Sequence, residues 1–269
     1  MSFLSIPFLS IDEITWKIVK ALETSLTITE IVRKSNINIS IVSRKLSEIK
    51  QGNKNIVVNF DINLEKTGIF NIATISRKLR NELPFLQSFR VLRILGRRLY
   101  LYTALLPGEE AIDEWLSNFE EGALTVKGLE RRFWSPSSPL TVYDGGFVQG
   151  CIEHVTVSER SPPELPKVEA TMDEIDVLLY WGKSRWPFTS LREIAEKSER
   201  YLGKRVSHQL LSWHFRNHVL KLWSRNRIWL YADLNKIPYR LLYLEGRDAP
   251  AVARALVQLP WFHTAYIDF

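Results

Sequence analysis

The feature that most constrains this chain is a recurrence at long range, because a copied unit dictates an architecture that every local reading must fit. "VSRKLSEI" (42–49) is echoed by "VSHQLLSW" (206–213), with Val, Ser and Leu at the same spacing. Upstream, "ITEIVRKS" (28–35) faces "LREIAEKS" (191–198), and "DEI" stands at 12–14 and again at 173–175. Downstream, "FDIN" (60–63) resembles "ADLN" (232–235), and "LPFL" (83–86) resembles "LPWF" (259–262). The matches keep their order while their spacing drifts, as insertions between elements would produce. Two copies of one unit are expected.

Charge is concentrated in the repeated parts. Residues 12–59 hold eight Lys/Arg against five Asp/Glu, and residues 173–227 hold eleven against six. The net charge of the whole chain is +6, so the remainder is slightly acidic and the cationic excess belongs to the start of each copy. That distribution suits the approach of a polyanion.

Hydrophobic period then assigns the elements. In the first copy Ile14, Ile18 and Leu22 make one helical stripe, Ile28, Ile31 and Val32 a second, and Val42, Leu46 and Ile49 a third. Thr27 and Ser40 are the expected N-caps of the last two, with "SNIN" (35–38) as the turn. "NIVVNFDI" then predicts a strand. The second copy repeats the order, with Ile175, Leu178 and Leu179, then Ile194 and Ala195, then Val206, Leu210 and Trp213, and the strand "RIWLYADL" (227–234). Three helices, a tight turn between the last two, and a strand are the parts of a winged helix-turn-helix.

The third helix of the second copy separates a core side from a contact side. At 100° per residue, Val206, Leu210, Trp213, Asn217 and Leu220 form the expected inward stripe. Arg205, His208, Gln209, Ser212 and Arg216 gather elsewhere, a set of donors with no carboxylate, as a helix in a major groove requires. Lys204 precedes them, and Arg225 and Arg227 near the wing are expected to touch the DNA backbone. The first copy offers Arg44, Lys45 and, near its wing, Lys54, but Glu48 shares that face with Ile41. Double-stranded DNA is the expected partner, chiefly through the second copy.

After each helical set the period changes. Residues 56–134 predict strand (56–62, continued by "IFNIATIS"), helix ("RKLRNELPF"), strand ("SFRVLRIL"), a turn at Gly96, strand ("RRLYLYTALL"), helix ("GEEAIDEWLSNF") and strand ("ALTVKGLERRF"). That order is a ferredoxin-like βαββαβ domain. After the second copy come "YRLLYLEG", a helix "APAVARALVQL" and a strand "HTAYIDF", a truncated version with an open edge expected to pair with the first sheet or another subunit. The fold class is therefore α+β. Its expected domains are winged helix-turn-helix 1 (1–55), the ferredoxin-like domain (56–134), a proline-rich linker (135–171), winged helix-turn-helix 2 (172–230) and a partial βαβ (231–269). Within the linker, "FVQGCIEHVTV" has the pattern of a strand or two.

The succession of "DEIDVLL" opening a helix, "EI..KS" and "VS..L" in the helix-turn-helix, "FDINLEKTG" leading into a strand, and "ILGRRLYL" at a strand-turn-strand resembles the Lrp/AsnC, or feast/famine, regulators. Asp173 and Asp176 match the paired acids with which that family opens its first helix, whereas the first copy has Asp12 but Thr15. Asp61, Leu64 and Gly68 look like the family's bridge from wing to sheet. The resemblance implies transcription regulation, and a homodimer formed through ferredoxin-like sheets. An amino-acid effector is not expected, since the family's pocket forms late in a fold that the second copy leaves incomplete.

Other chemistry is sparse. His214 and His218 stand four apart, as in helical zinc pairs, but no carboxylate or cysteine close in sequence completes three ligands, so neither metal nor cofactor is expected. The lone Cys151 excludes an intramolecular disulfide and fits a reducing cytoplasm. "MSFLSIPFLSI" lacks a basic leader and is too short to cross a bilayer, so no membrane partner is expected. No P-loop or G-x-G-x-x-G occurs. Most tryptophans of the second copy, Trp213 among them, are expected in the core, while Trp186 beside Pro187 is the candidate for exposure. An enzyme is not expected. The alternatives are a tetrapyrrole decarboxylase-like enzyme on a duplicated scaffold, recruiting His154, His263, Arg93 or Arg97, and an architectural protein that binds DNA without selectivity.

Overall fold

The computed structural model describes residues 5–52, 55–94, 96–108, 110–164, 167–231 and 240–268, in a mixed α and β arrangement. Strand β1 (Ser5–Ser10) precedes three helices. α1 (Glu13–Leu22) opens at Asp12, whose carboxylate accepts from the Thr15 N–H at 2.8 Å and hydroxyl at 2.7 Å. α2 (Ile28–Ser35) is capped by Thr27 as expected and closes on Asn36, at a left-handed φ of 56°. α3 (Ile39–Lys50) is capped by Asn38 and not by Ser40. Asn36 has already ended α2, so the Asn38 carboxamide is free to accept from the Ser40 N–H at 2.9 Å. The expected stripe Val42, Leu46 and Ile49 is buried, whereas Ile14 is 42% exposed and Thr15, Trp16 and Val19 take the inner face of α1 with Ile18 and Leu22.

Strand β2 (Ile56–Ile62) follows, then β3 (Ile69–Ser76), β4 (Leu86–Ile94), β5 (Arg97–Pro107), α4 (Glu110–Ser117), β6 (Leu124–Gly128) and β7 (Glu130–Phe133). The helix expected between β3 and β4 is absent: residues 77–85 are bends and turns. Arg77, Lys78 and Arg80 would crowd a helix N-terminus against its dipole, and Pro84 cannot sit in its interior. The backbone is satisfied instead by side chains, Glu120 accepting from the Arg77 N–H at 2.6 Å and the Tyr102 hydroxyl from the Arg80 N–H at 2.7 Å. Of the expected βαββαβ elements, β3, β4, β5, β6 and α4 form; the first helix does not, and β2 and β7 lie outside the sheet that holds β3 and β6. Between residues 135 and 171, the hairpin β8 (Thr141–Asp144) and β9 (Phe147–Cys151) realises the strand pattern noted there.

The second helical set is α5 (Glu174–Ser184), α6 (Leu191–Leu202) and α7 (His208–His214), which runs on through a π-helical turn (Phe215–Val219) and α8 (Leu220–Leu222) into β10 (Trp223–Leu230). Of "YRLLYLEG", residues 240–245 carry no regular structure, and "ADLN" and Tyr239 lie outside the described residues. α9 (Ala249–Leu256) and β11 (Thr264–Ile267) complete the chain, and β11 pairs with β7.

The chain divides into two compact units. One comprises residues up to Asn63, Phe133–Ser158 and Met172–Thr264, and so contains both helical sets. β2 and β10 pair antiparallel there, from Ile62 opposite Trp223 to Ile56 opposite Leu230. Alternation puts Ile56, Val58, Phe60, Ile62, Ile228 and Leu230 inside, where several join Ile18, Leu22, Ile31, Leu46 and Trp134 in one core. Each such side chain stabilises by about 1.5–3 kcal/mol. Asn226 of β10, fully buried, donates to the carbonyls of Leu22 (2.7 Å) and Ser25 (2.6 Å), satisfying the end of α1 that no helical N–H reaches. β1 pairs with β9, and β8 extends that sheet. The other unit, Leu64–Arg132, Glu159–Thr171 and from Ala265 on, holds an antiparallel sheet of order β4-β5-β3-β6. Its core of Ile72, Tyr102, Leu106 and Ile112 is closed by Trp115, whose indole N–H donates to the Thr74 hydroxyl at 2.9 Å.

Candidate nucleic-acid interface and an adjoining aspartate–histidine cluster

α7 begins at Ser207, whose hydroxyl accepts from the Leu210 N–H. Val206 therefore precedes the helix and Leu211 occupies its fourth position, the two places of a hydrophobic staple, and both are buried. Counting Val206 as part of the helix shifts the expected inward stripe by one residue. Leu211, His214, Val219 and Leu222 are buried, while Leu210 is 42% and Trp213 51% exposed. The π turn adds the extra residue that keeps Val219 and Leu222 on the inner side. Trp186, in contrast, packs against the core of its unit.

The outward side carries His208, Gln209 and Arg216, all exposed, with Ser212 half-buried between them and Trp213 alongside. No Asp or Glu occurs between Lys204 and Trp223. Lys204 pairs with Glu174, and Arg205 holds Glu199 at 2.8 Å while remaining largely in solvent. The remaining expected cations are placed differently. Arg225 reaches back to the buried Glu23 at 3.2 Å, and Arg227 pairs with Asp61 at 3.3 Å beneath the ring of Phe133. Both tie β10 to its unit; Arg227 is largely buried by its pairing, while Arg225 keeps 37% of its side chain exposed. In the first helical set Arg44 is exposed near Glu48, whereas Lys45 is folded inward onto Asp12 at 2.9 Å. Lys54 lies outside the described residues.

Directly beneath the outward side lies a group that sequence spacing did not assemble. Asp173 caps α5 and forms a capping box with Asp176, each carboxylate accepting from backbone N–H groups of the first turn. On the other flank of these carboxylates stand His214 and His218. His214 Nδ1 is 3.0 Å from Asp176 Oδ1 and 3.6 Å from Asp173 Oδ2, and His218 Nδ1 is 3.0 Å from Asp176 Oδ2. Asp176 is 1% exposed and His214 6%. The indole of Trp213 meets both imidazoles edge-on, with ring centres 5.1 and 5.0 Å away. The four-residue spacing of the histidines was the one available signal; their carboxylate partners come from a helix two elements earlier.

No protein-family profile and no curated protein matches the sequence. Among solved structures, the chain is similar to the transcriptional regulator NMB0573 of Neisseria meningitidis, crystallised with L-Met. The likeness has 17% identity over 49% of this chain and 97% of that one, at a TM-score of 0.33. It is also similar to the leucine response regulatory protein LrpA of Mycobacterium tuberculosis, with 15% identity over 47% of this chain and 97% of that one, at a TM-score of 0.32. Among the described residues, no helix is long and apolar enough to cross a membrane.

Proposed function

We propose that the protein is a DNA-binding transcription regulator, not an enzyme, that lays α7 in the major groove of a duplex. In this reading residues 1–55 and 172–230 are two winged helix-turn-helix units of a duplicated scaffold. Residues 56–134 and 231–269 are a full and a partial sheet domain, and residues 135–171 connect the copies. The observation that carries the proposal is the outward side of α7: His208, Gln209, Ser212 and Arg216 offer donors to phosphate oxygens and base edges on an acid-free helix whose N-terminus is itself electropositive. Lys204 and Arg205 add phosphate contacts on exchanging their carboxylate partners for DNA. Trp213 supplies an apolar surface of the kind that meets a thymine methyl. Arg44 gives the first set a secondary contact. Homodimerisation through the four-stranded sheet is supported by its edge strand β4, where Phe89, Val91 and Ile94 are 42%, 51% and 48% exposed.

Binding of a labelled duplex pool, followed by fluorescence anisotropy between about 50 and 200 mM salt, tests the proposal. Affinity should fall steeply across that range, and Arg205→Ala with Arg216→Ala should lower the salt slope by about one for each phosphate these arginines neutralise. A slope that the double variant leaves unchanged removes α7 from the interface. Competition between selected and random duplexes separates a sequence-selective regulator from an architectural binder, which would show equal competition.

A further inference from the structure

We propose that Asp173, Asp176, His214 and His218 form a binding site for one divalent transition-metal ion of the zinc class. The inference is independent of DNA binding. It rests first on convergence: one ligand atom from each of the four residues lies within 4.8 Å of all the others. In a tetrahedral site with bonds of about 2.0–2.1 Å, neighbouring ligand atoms stand about 3.3 Å apart; taking Asp176 Oδ1 for both imidazoles, the separations here are 3.0 Å to His214 and 3.2 Å to His218, with 3.6 Å between His214 and Asp173 Oδ2. These three separations are close to coordination spacing, and the other pairs lie within 4.8 Å.

Charge gives the second argument. Two carboxylates, that of Asp176 1% exposed and that of Asp173 50% exposed, lie within 4.8 Å of each other with no lysine or arginine paired to either among the described residues. Like charges this close repel, more so because one of them is buried, and a divalent cation between two carboxylates and two neutral imidazoles leaves the site without net charge. The capping box accounts for why the carboxylates point where they do, but not for the two imidazoles brought onto their other flank.

Backbone geometry gives the third. The π-helical turn Phe215–Val219 starts immediately after His214 and contains His218. Such turns are rare in helices and concentrate at functional sites. Here the turn lets both Nδ1 atoms face the same carboxylate. The surroundings match a metal centre as well: backbone N–H groups of Ile175 and Asp176 donate to Asp173 Oδ1 and fix its orientation, and the Trp213 ring shields the imidazoles. A donor set of two imidazoles and two carboxylates suits zinc or cobalt, is too hard for copper(I), and is richer in nitrogen than calcium or magnesium prefers. On binding, each imidazole presents its Nδ1 lone pair and carries its proton on Nε2, and any imidazolium proton goes to solvent, so uptake weakens as the pH falls.

The test is a titration of chelator-stripped, full-length protein with cobalt(II), in the absence of nucleic acid. The expected result is one equivalent bound, with the visible absorption of four-coordinate cobalt that zinc(II) then bleaches. Long-range 1H–15N spectra should show His214 and His218 moving from Nδ1–H to Nε2–H on zinc addition. Asp173→Asn keeps a good N-cap while removing a ligand charge. His218→Gln alters a side chain 37% exposed, so that variant should fold. Each should weaken binding by more than the roughly 10–100-fold typical of removing a residue that only supports a ligand. Circular dichroism would establish that both variants are folded. Failure of the wild-type protein to take up an equivalent of either metal overturns the proposal, and so does uptake that both folded variants leave unchanged.

Discussion

The N-termini of α1 and α5 solve one problem in two ways. Each helix opens on an aspartate cap, Asp12 or Asp173, and the third helix of its set comes back to meet it. At α1 the residue in the box position is Thr15, and the returning group is Lys45, so charge is balanced inside the chain. At α5 the box position is a second acid, Asp176, and the returning groups are the imidazoles of His214 and His218. A similar contrast holds at the helix ends, where Lys20 of α1 is exposed and Lys183 of α5 is buried. At the first cap a lysine completes the ion pair. At the second, no lysine or arginine is paired to either carboxylate among the described residues.

Removing the central acid should show the difference most strongly. Asp176→Ala strands two imidazoles and one capping interaction and should cost about 3–5 kcal/mol, against about 1 kcal/mol for Asp12→Ala, as read by urea denaturation of each variant. Equal losses would break the contrast. The buried amine comes next. Lys183 donates to the carbonyls of Pro187 and Thr189, at 3.0 and 2.9 Å, and burial lowers its pKa from 10.5 to about 8. As pH rises from about 8 toward 10.5 the native state sheds this proton before the unfolded state does, so stability should rise over that window. The gain is on the order of 2–4 kcal/mol at about 1.4 kcal/mol per pK unit, and Lys183→Met should lack it.

Asp12 gives a smaller effect in the opposite pH direction. Burial alone would raise its pKa, but hydrogen bonds from the Lys45 ammonium and from Thr15 outweigh that and bring it from 3.8 to about 2. The stabilisation is complete above 3.8 and is lost as pH falls toward 2, and Lys45→Met should flatten this acid limb. Because the Asp12 side chain is 47% exposed, solvent screening keeps the change small. The least effect is expected from Arg44→Ala, which should leave the salt slope of duplex binding closer to wild type than Arg216→Ala does. A larger change from Arg44 would shift the proposed interface to the first set.

Much of the local structure was legible because it is written in adjacent residues. Thr27, the expected cap, and Ser190 each accept from the first turn of the helix they precede, and they stand just before the matching strings "ITEIVRKS" and "LREIAEKS". The match between "VSRKLSEI" and "VSHQLLSW" does not carry over in the same way. Val42 is a buried residue inside α3, whereas Val206 lies before α7 and Ser207 is its cap. Starting that helix too early turns Leu210 and Trp213 inward on paper, and a π turn has no signature in hydrophobic period. The helix expected over 77–85 failed because its basic first turn and Pro84 disfavour it locally, and Glu120 and Tyr102 satisfy the freed backbone N–H groups instead. The Asp–His cluster was invisible for a simpler reason: its halves are 38 residues apart and meet only when α7 packs on α5.

The indole of Trp213 belongs to two neighbourhoods at once, with half its area in solvent and its ring edge-on to both imidazoles. A duplex seated on α7 as proposed would therefore rest against the same ring that walls the two imidazoles.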